Sequence, residues 1–203
     1  MPMYHHFDYP EMLSFIKKIP DYRIQTFARI GYLLGGRITE LLSLTSKQVR
    51  IKDDLIIATI RTLKTRRGEY IYRDLPNVIN DEKYYSQALV DFQQTTPTTT
   101  LQEYVELGGV RNIELKFIKT LGQVPHSLRH VRATHMGHAW IPSKIHQPTA
   151  AYLKYYFGWA NIATANEYID NLTIQDILIR YDSSKVTPPG ADPPGTNLNS
   201  GIV

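Results

Sequence analysis

A single change of period constrains this fold most. Apolar residues recur at helical spacing from Tyr22 to Leu34, and beyond about residue 75 the chain again reads mostly helical. Between about 48 and 75, β-branched runs take over: Val49 to Ile51, Leu55 to Thr62 and Glu69 to Asp74. Thr65-Arg66-Arg67-Gly68 joins the last two as a hairpin. Three short neighbouring strands inside a helical chain predict a mainly α domain with a small antiparallel β-sheet (α+β). At 203 residues there is room for one compact domain and not for a second large one.

Local signals refine this outline. Pro10 ahead of Met12, Leu13, Phe15 and Ile16 predicts a short first helix. Gly35-Gly36 ends the helix that closes at Leu34, so Arg37 opens the next one beside a tight backbone, with Ile38, Leu41, Leu42 and Leu44 on its buried face. A further helix is expected over about 81–93, followed by a surface loop at Thr95 to Thr100. The domain is expected to span 1–186. Residues 187–203, with two Pro-Pro-Gly triplets, cannot form a core and read as a disordered tail.

Composition removes several function classes. The absence of cysteine excludes disulfides, thiolate chemistry and cysteine-based zinc sites. No apolar run approaches the ~18 residues of a membrane span, and the first residues lack the regions of a signal peptide, so no membrane partner and a cytosolic or nuclear location are expected. Five histidines between 126 and 146 raise a metal site, but no His-Glu-x-x-His motif accompanies them and no carboxylate lies from Lys119 through Tyr156, so none is expected. The net charge of +4 is compatible with nucleic acid but too small for binding by charge alone. Basic residues crowd two stretches, Arg61, Lys64, Arg66, Arg67 and Arg73, then His126, Arg129, His130, Arg132 and His135. Either cluster alone reads equally well as a solvated face.

Three segments say more. They are Leu34-Gly35-Gly36-Arg37-Ile38-Thr39-Glu40-Leu41-Leu42, then His126-Ser127-Leu128-Arg129-His130-Val131-Arg132-Ala133-Thr134, then Gly158-Trp159 with Tyr168 nine residues on. A spacing of three puts His126 and Arg129 on one helix face, so both can approach a single anionic group. Singly, each segment has a plain reading as an amphipathic helix, an exposed polar helix or core aromatics. Tyr152, Tyr155 and Tyr156 lie close by, and Gly137-His138 is a second candidate pair, although Gln147 stands nine residues after it.

Together these segments resemble the tyrosine recombinases, the phage-integrase family. Its first arginine lies in a Thr-Gly-Leu-Arg-Ile-Ser-Glu-Leu-Leu-like box, from which Leu34 and Gly36 depart. Its second box, His-x-Leu-Arg-His-x-x-Ala-Thr, is matched at every fixed position. The resemblance covers about residues 22 to 170, with an unusually long interval from Arg129 to Trp159 that places an insertion around Ala139 to Pro148. It implies the tyrosine recombinase catalytic-domain fold and a site-specific recombinase or integrase that cuts and rejoins a double-stranded DNA attachment site without metal, ATP or other cofactor.

By the same resemblance, Tyr168 is the nucleophile that forms a 3′-phosphotyrosyl bond and frees a 5′-hydroxyl. Arg37 and Arg129 grip the non-bridging oxygens, and His126 accepts or hydrogen-bonds the phenolic proton. Trp159 donates its indole N–H to the phosphate, and Lys64 protonates the departing oxygen. Glu40 and His130 orient the arginine region. Arg61, Arg66 and Arg67 are read as phosphate contacts, because guanidinium releases no proton at usable pH. A homotetramer on DNA, monomeric or weakly associated when free, in the host cytoplasm or nucleoid, is implied. A type IB topoisomerase-like nicking–closing enzyme shares the chemistry, and a DNA-binding protein without catalysis is the third reading. Family members usually carry a further N-terminal DNA-binding domain, so the chain reads as the catalytic half. An apolar helix with Ile174, Ile177, Leu178 and Ile179 is expected to pack on a neighbouring subunit or on its own domain.

Overall fold

Aspartates and glycines set the limits of the helices that build the core. A computed structural model describes residues 7–62, 71–138 and 149–170. Asp8 caps α1 (Tyr9–Lys17), with Glu11 answering in a capping box, and Asp21 caps α2 (Tyr22–Leu34) by accepting the Arg23 N–H at 2.9 Å. Gly35 ends α2 in the left-handed region at φ 54°, where a side chain would be strained. A Cβ there would also lie 2.4 Å from the Phe157 ring. The chain turns through Gly36 into α3 (Ile38–Leu42), leaving Arg37 as its extended N-cap residue, as the glycine pair implied.

A three-stranded antiparallel sheet follows in the order β1 (Val49–Lys52), β2 (Leu55–Thr62), β3 (Ile71–Val78). Along β2 the even-numbered residues Ile56, Ala58, Ile60 and Thr62 are buried, so one face packs on the helices. β3 runs on to Val78, four residues past the expected end at Asp74, and passes through Pro76. Proline is tolerated because β3 is an edge strand and needs no outward donor. The inward row of β3 is Arg73, Leu75 and Asn77, two of them polar. The expected hairpin at Thr65 to Gly68, with Lys64, Arg66 and Arg67, lies outside the described residues.

The helices α4 (Lys83–Gln93), α5 (Leu101–Val105), α6 (Val110–Leu121), α7 (His126–Gly137), α8 (Ala150–Phe157) and α9 (Ile162–Asp170) complete the described fold. α2 is its centre: from Ile30 to Leu34 every residue is buried, as befits a helix enclosed on all sides, and α4 and α7 flank it. Tyr32 packs tilted against Tyr85, ring centroids 4.5 Å apart, and hydrogen-bonds His135 at 2.7 Å. The Thr95–Thr100 segment is the expected loop, hooked to the preceding chain by Ser46, whose hydroxyl donates to the Thr96 carbonyl at 2.7 Å. Thr100 ends it by capping α5. The proposed insertion at Ala139 to Pro148, the apolar segment near Ile174 to Ile179 and the 187–203 tail lie outside the described residues. No helix among the described residues is long and apolar enough to cross a membrane.

Candidate active site

The site forms where three helix ends meet. α2 ends at Gly35 and α8 at Gly158, both left-handed, and Arg129 reaches from α7 into the space between them. Its guanidinium donates to the Gly35 carbonyl at 2.7 Å and to the Phe157 carbonyl, so it closes on the negative ends of two helices. It also lies 5.2 Å from the Phe157 ring and 5.8 Å from the Trp159 ring. Burial lowers the Arg129 pKa to about 10, helped by repulsion from Arg37 and opposed by Glu40, which leaves it charged at neutral pH.

Arg37 is brought alongside by Glu40. The third residue of α3, Glu40 accepts the Arg37 backbone N–H at 3.1 Å and the Arg37 guanidinium at 2.7 Å, and is itself only 1 % exposed. Its second oxygen also takes Arg73 at 3.1 Å. One carboxylate thus serves two guanidiniums while, among the described residues, the hydrogen bonds of Arg129 go to neutral carbonyls, so this cluster keeps positive charge for an incoming anion.

Tyr168 completes the arrangement from α9. Its ring stacks on Trp159 at 5.0 Å and 7°, and Trp159 stacks in turn on Phe157 at 4.8 Å. The Tyr168 hydroxyl is hydrogen-bonded to His130 Nδ1. α9 can come this close because Gly137 has no side chain: a Cβ there would lie 2.4 Å from the Tyr168 carbonyl. His126 and His130, one turn apart, meet edge to face at 4.7 Å. Partial burial lowers the His126 pKa to about 4, with His130, Arg129 and Arg37 adding to the effect. Burial and then Arg129 lower His130 as well. Both imidazoles are neutral at pH 7, and a neutral ring can accept a proton.

Against the sequence reading, the structure gathers Arg37, Glu40, His126, Arg129, His130, Trp159 and Tyr168 into one cluster. The histidine on the phenol is His130, to which the resemblance gives the orienting of the arginines, and not His126 as the resemblance implies. α9 crosses α7 at its Gly137 end, which puts the later histidine within reach. Arg61 stands on the outer phase of β2 and lines a cleft of about 300 Å³ with Glu40, Lys47, Gln48 and Tyr72. Lys64, Arg66 and Arg67 lie outside the described residues. Tyr156 is buried, its hydroxyl donating to the Leu33 carbonyl, and Tyr155 accepts the Asp74 N–H on the surface. Arg73 carried no role in the reading. The signal for it was an arginine on the inward phase of an alternating strand.

A helical domain with a small antiparallel sheet, holding two arginines, two histidines and a tyrosine at one point, defines the architecture of a recombinase catalytic domain. The phage integrase family profile matches residues 3–173, and the chain belongs to that family. Among solved structures it is similar in fold to XerA recombinase, with a TM-score of 0.58 and 17 % identity over 90 % of this chain and 64 % of that one. It is also similar to XerH site-specific recombinase bound to difH substrate in a pre-cleavage complex (0.55, 17 %, 87 % and 53 %). A third is the Tn1549 transposon integrase, residues 82–397, in complex with circular intermediate DNA (0.54, 17 %, 91 % and 68 %). The chain therefore spans about half of the XerH recombinase. No curated protein matches it by sequence.

Proposed function

We propose that this chain is the catalytic domain of a site-specific DNA recombinase or integrase, acting on a double-stranded attachment site through a covalent 3′-phosphotyrosyl intermediate. The observation that carries the reading is the Tyr168 hydroxyl hydrogen-bonded to a neutral His130 beside the buried Arg129, whose guanidinium donates to the Gly35 and Phe157 carbonyls. Phenol is a weak nucleophile at neutral pH, with a pKa of about 10, and needs an acceptor for its proton. His130 Nδ1 takes that proton as Tyr168 Oη bonds to phosphorus, while the bond from phosphorus to the 5′-oxygen breaks. Arg37 and Arg129 stabilise the charge growing on the non-bridging oxygens, the electrostatic work a metal ion does elsewhere. Trp159 packs the tyrosine in place and offers its indole N–H to the phosphate, and Lys64 supplies the proton for the departing 5′-oxygen. Attack by a second 5′-hydroxyl reverses the step on a new partner, so no ATP is needed.

Arg61, Arg66 and Arg67 contact backbone phosphates in this reading, the domain extends over 1–186, and a homotetramer assembles on DNA in the cytoplasm or nucleoid of the host. The test is covalent capture. The full chain is incubated, with EDTA present, with a random-sequence library of duplexes nicked so that the released fragment diffuses away. Adducts should appear on denaturing gels and be absent for Tyr168→Phe. A wild-type chain that captures no member of the library, or that needs added metal to do so, contradicts the reading.

A further inference from the structure

Arg73 is 2 % exposed, and the reaction just described does not use it. It faces inward opposite Ile60 and in line with Leu75, where strand alternation calls for an apolar side chain. A buried charge is tolerated only when paired and hydrogen-bonded, and each nitrogen of this guanidinium is engaged. Nε donates to Thr62 Oγ1 at 2.7 Å, one terminal nitrogen to the Tyr156 carbonyl, and the other to Glu40 Oε2 at 3.1 Å.

Those partners are what distinguish it from a core ion pair. Glu40 is the carboxylate that fixes Arg37. Tyr156 is next to Phe157, whose carbonyl holds Arg129, so two guanidiniums share the end of α8. The following Gly158 lies at φ 61°, and a Cβ there would stand 2.8 Å from Arg73 Cζ, so the glycine preceding Trp159 is shaped around this arginine. Thr62 ends β2 and Arg73 lies near the start of β3, the two strands that bracket Lys64 in the sequence.

We propose that Arg73 is a positioning residue which, through Glu40 and the Tyr156 carbonyl, sets Arg37 and the Trp159–Tyr168 segment in register with the strands bracketing Lys64. The proposal rests on the recombinase reading. It requires that loss of Arg73 slow the chemical step without weakening DNA binding, and that part of the loss act by way of Arg37.

The test compares Arg73→Met and Arg73→Lys in the full chain, alone and combined with Arg37→Ala, on a nicked duplex recovered by covalent capture. Circular dichroism establishes folding. At saturating protein, Arg73→Met should form adduct about 100-fold more slowly, the scale on which a misplacement of about 1 Å acts, with the half-saturating concentration unchanged. Arg73→Lys should recover part of the rate. Adding Arg73→Met to Arg37→Ala should cost less than it costs in the wild-type chain, because only the route through the Tyr156 carbonyl remains to be lost. An unchanged saturating rate, a loss confined to half-saturation, or a loss undiminished in the Arg37→Ala background overturns the proposal. If Arg73→Met does not fold, the same comparison with Arg73→Lys decides. A second readout needs no cleavage: the Arg37 guanidinium N–H signals, assigned by their loss in Arg37→Lys, should be resolved by NMR in the wild type and broadened in Arg73→Lys. Failure of the wild type to capture DNA counts against the recombinase reading, while unchanged Arg37 signals count against the role of Arg73.

Discussion

Arg129 and Arg132 stand three residues apart on α7, 3 % and 2 % exposed, yet their surroundings make them opposites. Arg132 points into the core, where Glu82 takes it through both oxygens and Asn77 accepts a further bond at 2.9 Å. Burial is the largest influence and works against its charge, but the charge and hydrogen bonds of Glu82 together with Tyr156 and Tyr32 outweigh it, and its pKa is raised above the usual arginine range. Among the described residues the hydrogen bonds of Arg129 go to carbonyls, and burial lowers its pKa. The same residue type is a closed structural pair in one place and an open charge in the other. What separates them is where the nearest carboxylate is spent: Glu82 on Arg132, and Glu40 on Arg37 and Arg73.

The sharpest way to break this comparison is to remove each arginine. Arg129→Ala should lower the rate of adduct formation by about 10²–10³-fold, the cost of losing one preorganised donor to a developing oxyanion. Arg132→Met should leave the rate per folded molecule unchanged but reduce stability to denaturant by about 3–5 kcal/mol, because Glu82 stays buried without its cation. An exchange of these outcomes would show that the charge at Arg129 is structural. A smaller effect separates the two histidines. His130→Gln should slow adduct formation by about 100-fold, within the range for a positioned general base, and His126→Gln by less; single-turnover rates in parallel decide which ring serves Tyr168.

The mildest test is pH. Both histidines are neutral in the folded protein, with pKa values below the ordinary value of about 6.5. The rate attributed to His130 should hold as pH falls to 6.5 and decline below it as the ring takes up a proton. Stability should change with the same sign. The unfolded chain binds protons first as pH falls below 6.5, so folding weakens until the folded-state pKa values are passed. Rates or denaturation midpoints that improve on acidification over this window would contradict neutral histidines.

Legibility in the sequence followed contact distance along the chain. The glycine stop before Arg37, the helical face of His126 and Arg129, and the Trp159–Tyr168 interval are local patterns, and the structure shows each of them. The inward phase of Arg73 is visible in the strand pattern, but what it holds is not, because Glu40 and Tyr156 lie 33 and 83 residues away and only Thr62 is closer. The choice between His126 and His130 depends on where α9 crosses α7, which Gly137 decides by admitting the Tyr168 backbone. β3 continued through Pro76 because it lies at the sheet edge, a fact of topology that the strand's own residues do not carry.

In the proposed reaction one tyrosine becomes joined to DNA. Tyr156 is enclosed in the core and Tyr155 sits on the surface against Asp74, whereas Tyr168 alone among them is held by His130 and Trp159. Digestion of the captured protein–DNA adduct and mass spectrometry of the nucleotide-bearing peptide measures this directly. The modified residue should be Tyr168; a phosphodiester on Tyr155 or Tyr156 would contradict the site described here.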